Sequence, residues 1–362
     1  MASAAAEVPW FVAALTGAGG AGPVRLLARD DVIRCAGAID VVGQVRDTLA
    51  AHAEGRCVLP GEAYLPWRNA GGHYTRSIAM PGAVHGGDGR SRYGLKVINA
   101  SVSNPDAGLE RAGGIGLCFD PETARITAII EIGLLSAMRT AAVSAVAIDV
   151  LGRAGAGSLS VIGCGTQGRM HALLIRERLT ALRRITLFDV RGDAAETLAA
   201  DITRGEPDIE VNTAGSARAA VAAGEIVVLT TTAGDGYVEG EWMGAGALVL
   251  NVSLADLTDA ALLGSAALYV DDLELVRENP RRPLGRLMGS GAIAAPGEHQ
   301  AARARIHGTI GDLVTGRRRP VRAGDSYSVV NPFGMGILDV ALLDAVHQAA
   351  AEAGAGSVIR LG

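Results

Sequence analysis

The sequence predicts an α/β protein built on a doubly wound parallel sheet and joined to a second, α+β unit. Three observations predict it. Strand-like and helix-like segments alternate from Ser158 to Val270, which is the pattern of a parallel sheet with helices on both faces. The first strand of that run leads into Gly163-Cys164-Gly165-Thr166-Gln167-Gly168. A chain of 362 residues, 49% hydrophobic and 20% charged, also has material for more than one core.

Taken in order, residues 26–53 read as a short strand and then a helix, with Asp30 or Asp31 as cap and Ile33, Ala36, Ile39, Val42 and Leu49 as apolar positions. Residues 76–98 and 115–130 alternate or run apolar between Gly, Pro and Asp, as strands do. The alanine-rich run 137–148 favours a helix, with Ser136 as its cap. Beyond the glycine-rich residues 152–157 come a strand at 158–162, a helix from Thr166, a strand at 185–188 and a helix from Asp193. Further strands follow at 226–230, 247–252 and 268–270. A strand at 327–330 and a closing helix near 338–353 are expected to rejoin the first unit.

The formal net charge of −5 argues against nucleic acid or an anionic membrane as partner, since both select a basic face. A small-molecule substrate fits better. Cys35, Cys57, Cys118 and Cys164 form no CxxC pair, residues 1–10 lack the basic start of a leader, and no apolar run reaches membrane-spanning length. These features point to the reducing cytoplasm. The seven histidines show no HxxxH or HExxH spacing, so no metal site is expected. Lys96 is the only lysine among 33 basic residues. Where arginine has replaced lysine as the solvated cation, the lysine that remains is a candidate for chemistry.

A GxGxxG pattern alone is weak in a chain with 49 glycines, so its context decides. Here an apolar strand precedes it, a helix follows, and Asp189 ends the next strand about 20 residues on, where a carboxylate accepts ribose hydroxyls. Gly163 permits the tight turn, Gly165 lets the backbone approach a pyrophosphate, and Gly168 packs helix on strand. The helix start at Thr166 and Gln167 offers N–H donors. The reading is a Rossmann-type dinucleotide site. Asp189 would repel a 2′-phosphate and so favours NAD over NADP, with Arg191 as the opposing signal.

Outside the loop, Met80-Pro81, Tyr93-Gly94-Leu95-Lys96-Val97-Ile98, Arg139-Thr140-Ala141-Ala142 and Leu250-Asn251-Val252-Ser253-Leu254-Ala255-Asp256 follow in order. With these motifs the chain resembles the ornithine cyclodeaminase/mu-crystallin family over nearly its whole length. Four stretches make it most similar to the 2,3-diaminopropionate branch, whose members oxidise an N-(2-amino-2-carboxyethyl)-glutamate adduct. They are Arg76-Ser77-Ile78-Ala79-Met80-Pro81, Ser253-Leu254-Ala255-Asp256-Leu257, Val270-Asp271-Asp272 and Pro332-Phe333-Gly334-Met335-Gly336-Ile337-Leu338-Asp339.

The resemblance implies that Lys96 and Arg139 bind a substrate carboxylate, with Arg68 or Arg76 as a third ligand. Arginines at such positions can equally be solvated surface charges. It implies Asp256 as general acid/base beside Lys96, although an aspartate there could instead cap the following helix. It adds Thr140, Thr230 and Thr231 as cofactor contacts and implies a homodimer. The expected units are residues 1–140 with 316–362 for substrate binding and dimerisation, and residues 141–315 for the dinucleotide.

Ornithine cyclodeaminases carry an acidic residue just before Met-Pro, where this chain has Ile78-Ala79, so ring-forming deamination is disfavoured. Val97 stands where the diaminopropionate branch usually has tryptophan. The expected reaction is NAD-dependent oxidation of the adduct to an imine and its hydrolysis to 2,3-diaminopropionate and 2-oxoglutarate. The alternatives are a cyclodeaminase, an amino-acid dehydrogenase, an imine reductase, or a non-catalytic dinucleotide-binding protein.

Overall fold

The runs of Val, Ile and Leu at Ser158–Ile162, Ile226–Leu229, Leu248–Asn251 and Ala267–Val270 are almost wholly buried, as strands covered by helices on both faces must be. The computed structural model, which describes residues 22–298 and 301–360, places them in an eight-stranded sheet. Its order is Glu210–Thr213, Arg184–Phe188, Ser158–Ile162, Ile226–Leu229, Leu248–Asn251, Ser328–Asn331, Ala267–Val270 and Gly308–Thr309. All seven pairings are parallel. The winding reverses between Ser158–Ile162 and Ile226–Leu229, so a ligand crevice opens beyond their carboxyl ends.

The second sheet is mostly antiparallel, in the order Ser357–Arg360, Pro23–Leu27, Ile126–Glu131, Ala112–Phe119, Ser91–Ser101, Tyr74–His85 and Cys57–Val58, with Ala63–Arg68 also paired to Tyr74–His85. The closing helix Gly336–Glu352 lies along a trough on it. A Cβ on Gly82 would come 2.9 Å from Ile337 Cγ2, and one on Gly116 only 2.3 Å from Leu343 Cδ2. Side chains at these strand positions would hold the helix off the sheet. Their absence lets Asp339 of this helix reach Lys96, the strand partner of Gly116.

Several expected boundaries are corrected. The tail from Gly316 divides: Ser328–Asn331 enters the parallel sheet between Leu248–Asn251 and Ala267–Val270, whereas Gly336–Glu352 and Ser357–Arg360 return to the other sheet. The first long helix is two, Arg29–Ala36 and Val41–Ala53, broken at Gly37, with Asp40 capping the second through Gly43 N at 2.9 Å. The helix expected from Ser136 starts earlier, at Gly133, because Glu131 accepts from Gly133 N at 2.7 Å. Arg139 therefore sits in its second turn, away from the anion-favouring helix start.

Gly133–Val150 is also long and apolar enough to cross a membrane by composition, contrary to the sequence reading. Here it packs against the helices Val41–Ala53, Thr166–Arg176 and Gly336–Glu352. All four cysteines are free. The absence of a leader was read from residues 1–10, which lie outside the described residues.

Candidate active site

At the crevice the glycine loop has the geometry its sequence requires. Gly163 adopts φ +93°, and a Cβ on Gly168 would stand 1.9 Å from Gly163 O, so helix and strand meet without side chains between them. Thr230 Oγ1 donates to Gly163 O at 2.8 Å and fixes the loop to the neighbouring strand exit. Gly165 is the N-cap of Thr166–Arg176 and supplies no capping side chain. The first N–H groups of an eleven-residue helix are therefore left for an anion. A Cβ on Gly165 would meet nothing within 4 Å, and Gln167 Oε1 is buried without a partner. An open cradle, unused donors and an orphaned acceptor fit a dinucleotide.

Asp189 accepts from Cys164 N at 2.7 Å and Arg191 N at 2.9 Å, which holds its carboxylate beside the loop. Burial pushes the Cys164 thiol up to about 12, so it stays protonated. Thr140 donates to Ser136 O within its own helix at 2.7 Å, one turn before Ser144, which meets His171 Nε2 at 3.1 Å.

Lys96 and Arg139 converge on one carboxylate. Lys96 Nζ lies 2.7 Å from Asp339 Oδ2, and Arg139 Nε lies 3.2 Å from Asp339 Oδ1. Lys96 is 1% exposed, Asp339 0% and Arg139 8%. Burial, and then the Arg139 guanidinium, push the Lys96 ammonium down to about 8, against the opposing pull of Asp339 and Glu62. Asp339 takes one donor from each cation, so both keep N–H donors for a further anion.

Arg139 also lies against Gly334, where a Cβ would be 2.8 Å from its Nη1. Gly334 belongs to the loop leaving the carboxyl end of Ser328–Asn331, held by Asp271 Oδ2 accepting from Gly334 N at 2.6 Å. The cation pair thus borders the crevice at the sheet's carboxyl edge.

Asp256 follows the neighbouring strand Leu248–Asn251. Its carboxylate accepts from Thr231 Oγ1 at 2.5 Å and Thr231 N at 3.4 Å. Burial raises its pKa, opposed by the Thr231 hydrogen bonds. The helix after it is capped by Thr258, whose Oγ1 accepts from Ala261 N at 3.1 Å, so Asp256 is not a cap. Leu254, two residues earlier, is held at φ +71°, a strained value for a residue with a branched side chain. Asn251 and Asn331, at the ends of adjacent strands, join side chains at 2.6 Å and tie the Asp256 loop to the Gly334 loop.

A family model described as ornithine cyclodeaminase/mu-crystallin family matches residues 25–354. The chain belongs to the ornithine cyclodeaminase/mu-crystallin family. Within that family, the N-((2S)-2-amino-2-carboxyethyl)-L-glutamate dehydrogenase of Staphylococcus aureus (strain NCTC 8325 / PS 47) is 29% identical over 322 residues, 88% of this chain and 93% of that protein. The crystal structure of CmnK is similar at 42% identity and a TM-score of 0.86, over 94% of this chain and 98% of that one. An archaeal alanine dehydrogenase dimer with bound NAD shares the fold at a TM-score of 0.80 and 23% identity, over 94% and 100% of the two chains.

In this ornithine cyclodeaminase/mu-crystallin family member the two competing arginines separate. Arg68 is exposed near the end of its hairpin and donates to Gly72 O at 2.8 Å, so it serves the turn rather than the cation pair. Arg76 is half-buried and, with Lys96 and Arg139, opposes the upward push of burial on the Glu62 carboxyl. Sequence reasoning missed Glu62 and Asp339. Glu62 belongs to no motif and precedes the strand Ala63–Arg68, whose register with Tyr74–His85 sets it beside Met80, the partner of Lys96. Asp339 could have been found, since it is an aspartate within the otherwise apolar stretch Ile337-Leu338-Asp339-Val340.

Proposed function

We propose that the chain is an NAD-dependent oxidoreductase that oxidises the Cα–N bond of an amino-acid adduct and hydrolyses the resulting imine. N-(2-amino-2-carboxyethyl)-L-glutamate is the proposed substrate, and the whole reaction consumes NAD and water and yields 2-oxoglutarate, 2,3-diaminopropionate, NADH and a proton. The observation that carries this reading is the buried pair Lys96 and Arg139 sharing Asp339 at the sheet edge, one strand from Asp256. The 29% identity to the glutamate-adduct dehydrogenase supports the substrate. Arg76 is the further arginine proposed to contact the substrate.

Bound NAD would supply the hydride acceptor, held by the loop 163–168 and Asp189, with Thr140, Thr230 and Thr231 lining its site. Lys96 and Arg139 orient the α-carboxylate so that Cα faces the crevice. Asp256, its pKa raised by burial, takes the proton from the secondary ammonium and releases it to solvent as the one proton the reaction yields; it then takes a proton from the attacking water and returns it to the departing nitrogen. Glu62, beside the cation pair, is suited to receive the adduct's primary ammonium. The chain is proposed to work as a homodimer through the first sheet's face opposite Lys96, where Leu65, Trp67 and Ile115 are exposed.

Purified protein with NAD and the adduct should generate absorbance at 340 nm, whereas ornithine and alanine should not. NADH formed from alanine alone, or proline and ammonia formed from ornithine, would overturn the substrate assignment. The Lys96 ammonium persists below about pH 8 and is lost above it. The kcat/KM for the adduct is therefore expected to fall as pH rises through about 8, and Lys96→Met should remove that limb while lowering kcat/KM at pH 7. Asp189→Ser removes the carboxylate that repels a 2′-phosphate and leaves Arg191. The ratio of kcat/KM for NAD over NADP should drop at least about tenfold, the scale of one charge-assisted hydrogen bond.

A further inference from the structure

A second set of cations lies beyond Lys96 along the strand Ser91–Ser101. Arg76 is opposite Ala100, four residues from Lys96 along the strand Ser91–Ser101, about 13 Å of backbone. Arg111 precedes the strand Ala112–Phe119, and its carbonyl accepts from Ser101 N at 3.0 Å, next to the Arg76–Ala100 pair. Arg282 comes from the other half of the molecule, as the N-cap of Pro283–Gly289.

The two halves approach at the start of the strand Ala63–Arg68, whose Pro66 pairs with Arg76: a Cβ on Gly61 would stand 3.9 Å from Oε2 of Glu278, four residues before Arg282. Arg76, Arg111 and Arg282 form no ion pair within 4 Å among the described residues, and Arg111 Nε is buried without any partner. Burial, then the Arg76 charge, hold the Arg111 guanidinium below its ordinary value, with Arg282 adding to the effect. The Tyr64 phenol, although burial raises it, is held below its ordinary value by its contacts with Tyr74 and Arg76. The charges of Arg76 and Arg282 both disfavour the charged Arg111 guanidinium, and with none of the three ion-paired within 4 Å among the described residues an anion beside them would relieve that repulsion.

We propose that Arg76, Arg111 and Arg282 form a second anion subsite, closed from both halves of the molecule, which binds a carboxylate at the far end of a dicarboxylic substrate. This rests on the reading of the Lys96–Arg139 pair as the α-carboxylate clamp. It makes the site selective for substrates whose two carboxylates are several bonds apart. A one-carboxylate amino acid of alanine's size cannot reach both groups.

The test is equilibrium titration of the full-length protein saturated with NADH, followed by its tryptophan fluorescence. 2-Oxoglutarate is compared with 2-oxopentanoate, which keeps the chain length and lacks the second carboxylate. 2-Oxoglutarate should bind at least about tenfold tighter, as expected for one charge-assisted contact. Arg282→Gln and Arg111→Gln should each remove most of that preference while 2-oxopentanoate affinity changes less than about twofold, which also reports an intact fold.

Equal binding of the two acids, or a preference unchanged in both variants, would overturn the subsite. So would an Arg282 dependence seen with inorganic phosphate and not with 2-oxoglutarate. A protein that keeps the preference but forms no NADH from the adduct would lose the proposed substrate and keep the subsite. Loss of the preference with the adduct still oxidised would do the reverse.

Discussion

Asp256→Asn is expected to lower turnover by about 10²–10⁴-fold, the range for removing a general acid/base, while NAD binds within about threefold of its normal affinity. The asparagine oxygen can still accept from Thr231, so the loop keeps its shape. The substitution should not unfold the protein. A carboxyl whose folded pKa is raised loses stability as pH rises towards that value, so above it the ionised Asp256 costs stability that an amide does not. The variant should match or exceed the parent in thermal midpoint. The acidic limb of the kcat/KM profile, where activity rises as Asp256 deprotonates, should vanish with it. Turnover unchanged by the substitution would take Asp256 out of the mechanism.

Asp339→Asn should have the largest effect on stability, because it leaves Lys96 and Arg139 buried side by side without their shared carboxylate. Breaking a buried ion pair from one side costs about 3–5 kcal/mol. Urea unfolding should show that loss as a lower midpoint at an unchanged m-value. Removing one cation as well, in Asp339→Asn with Lys96→Met, should recover part of it, since the two sites are in contact and their effects cannot add. A single-variant loss below about 1 kcal/mol would mean that water or Glu62 already neutralises the pair.

The parallel sheet was legible because its strands are continuous apolar runs separated by helical periods, and the glycine loop because steric demands at Gly163 and Gly168 admit no side chain. The placement of Ser328–Asn331 was not legible. A buried strand of Ser, Val, Val and Asn carries no mark of which sheet receives it, and only its pairing with Leu248–Asn251 decides. The start of the helix at Gly133 was missed because the cap comes from Glu131, before the helix, rather than from Ser136 within the apparent pattern.

In the site, Lys96 was legible as the lone lysine and Arg139 and Asp256 through family motifs. Asp339 stands out only as an aspartate in an apolar stretch, and its partners become visible when the glycine trough seats the closing helix on the sheet, as Glu62 does when strand register sets it beside Met80. Contacts across hundreds of residues leave no local trace. The same reason hid Arg282, which reaches the first sheet from the far half of the chain.

The central claim, that the carboxylate clamp and the dinucleotide loop serve one crevice, is tested most directly by isotope transfer. The adduct deuterated at the glutamyl Cα is incubated with NAD and the enzyme, and the nicotinamide product is weighed by mass spectrometry. NADH heavier by one mass unit should form in step with 2-oxoglutarate. Unlabelled NADH, or 2-oxoglutarate released without NADH, would contradict it.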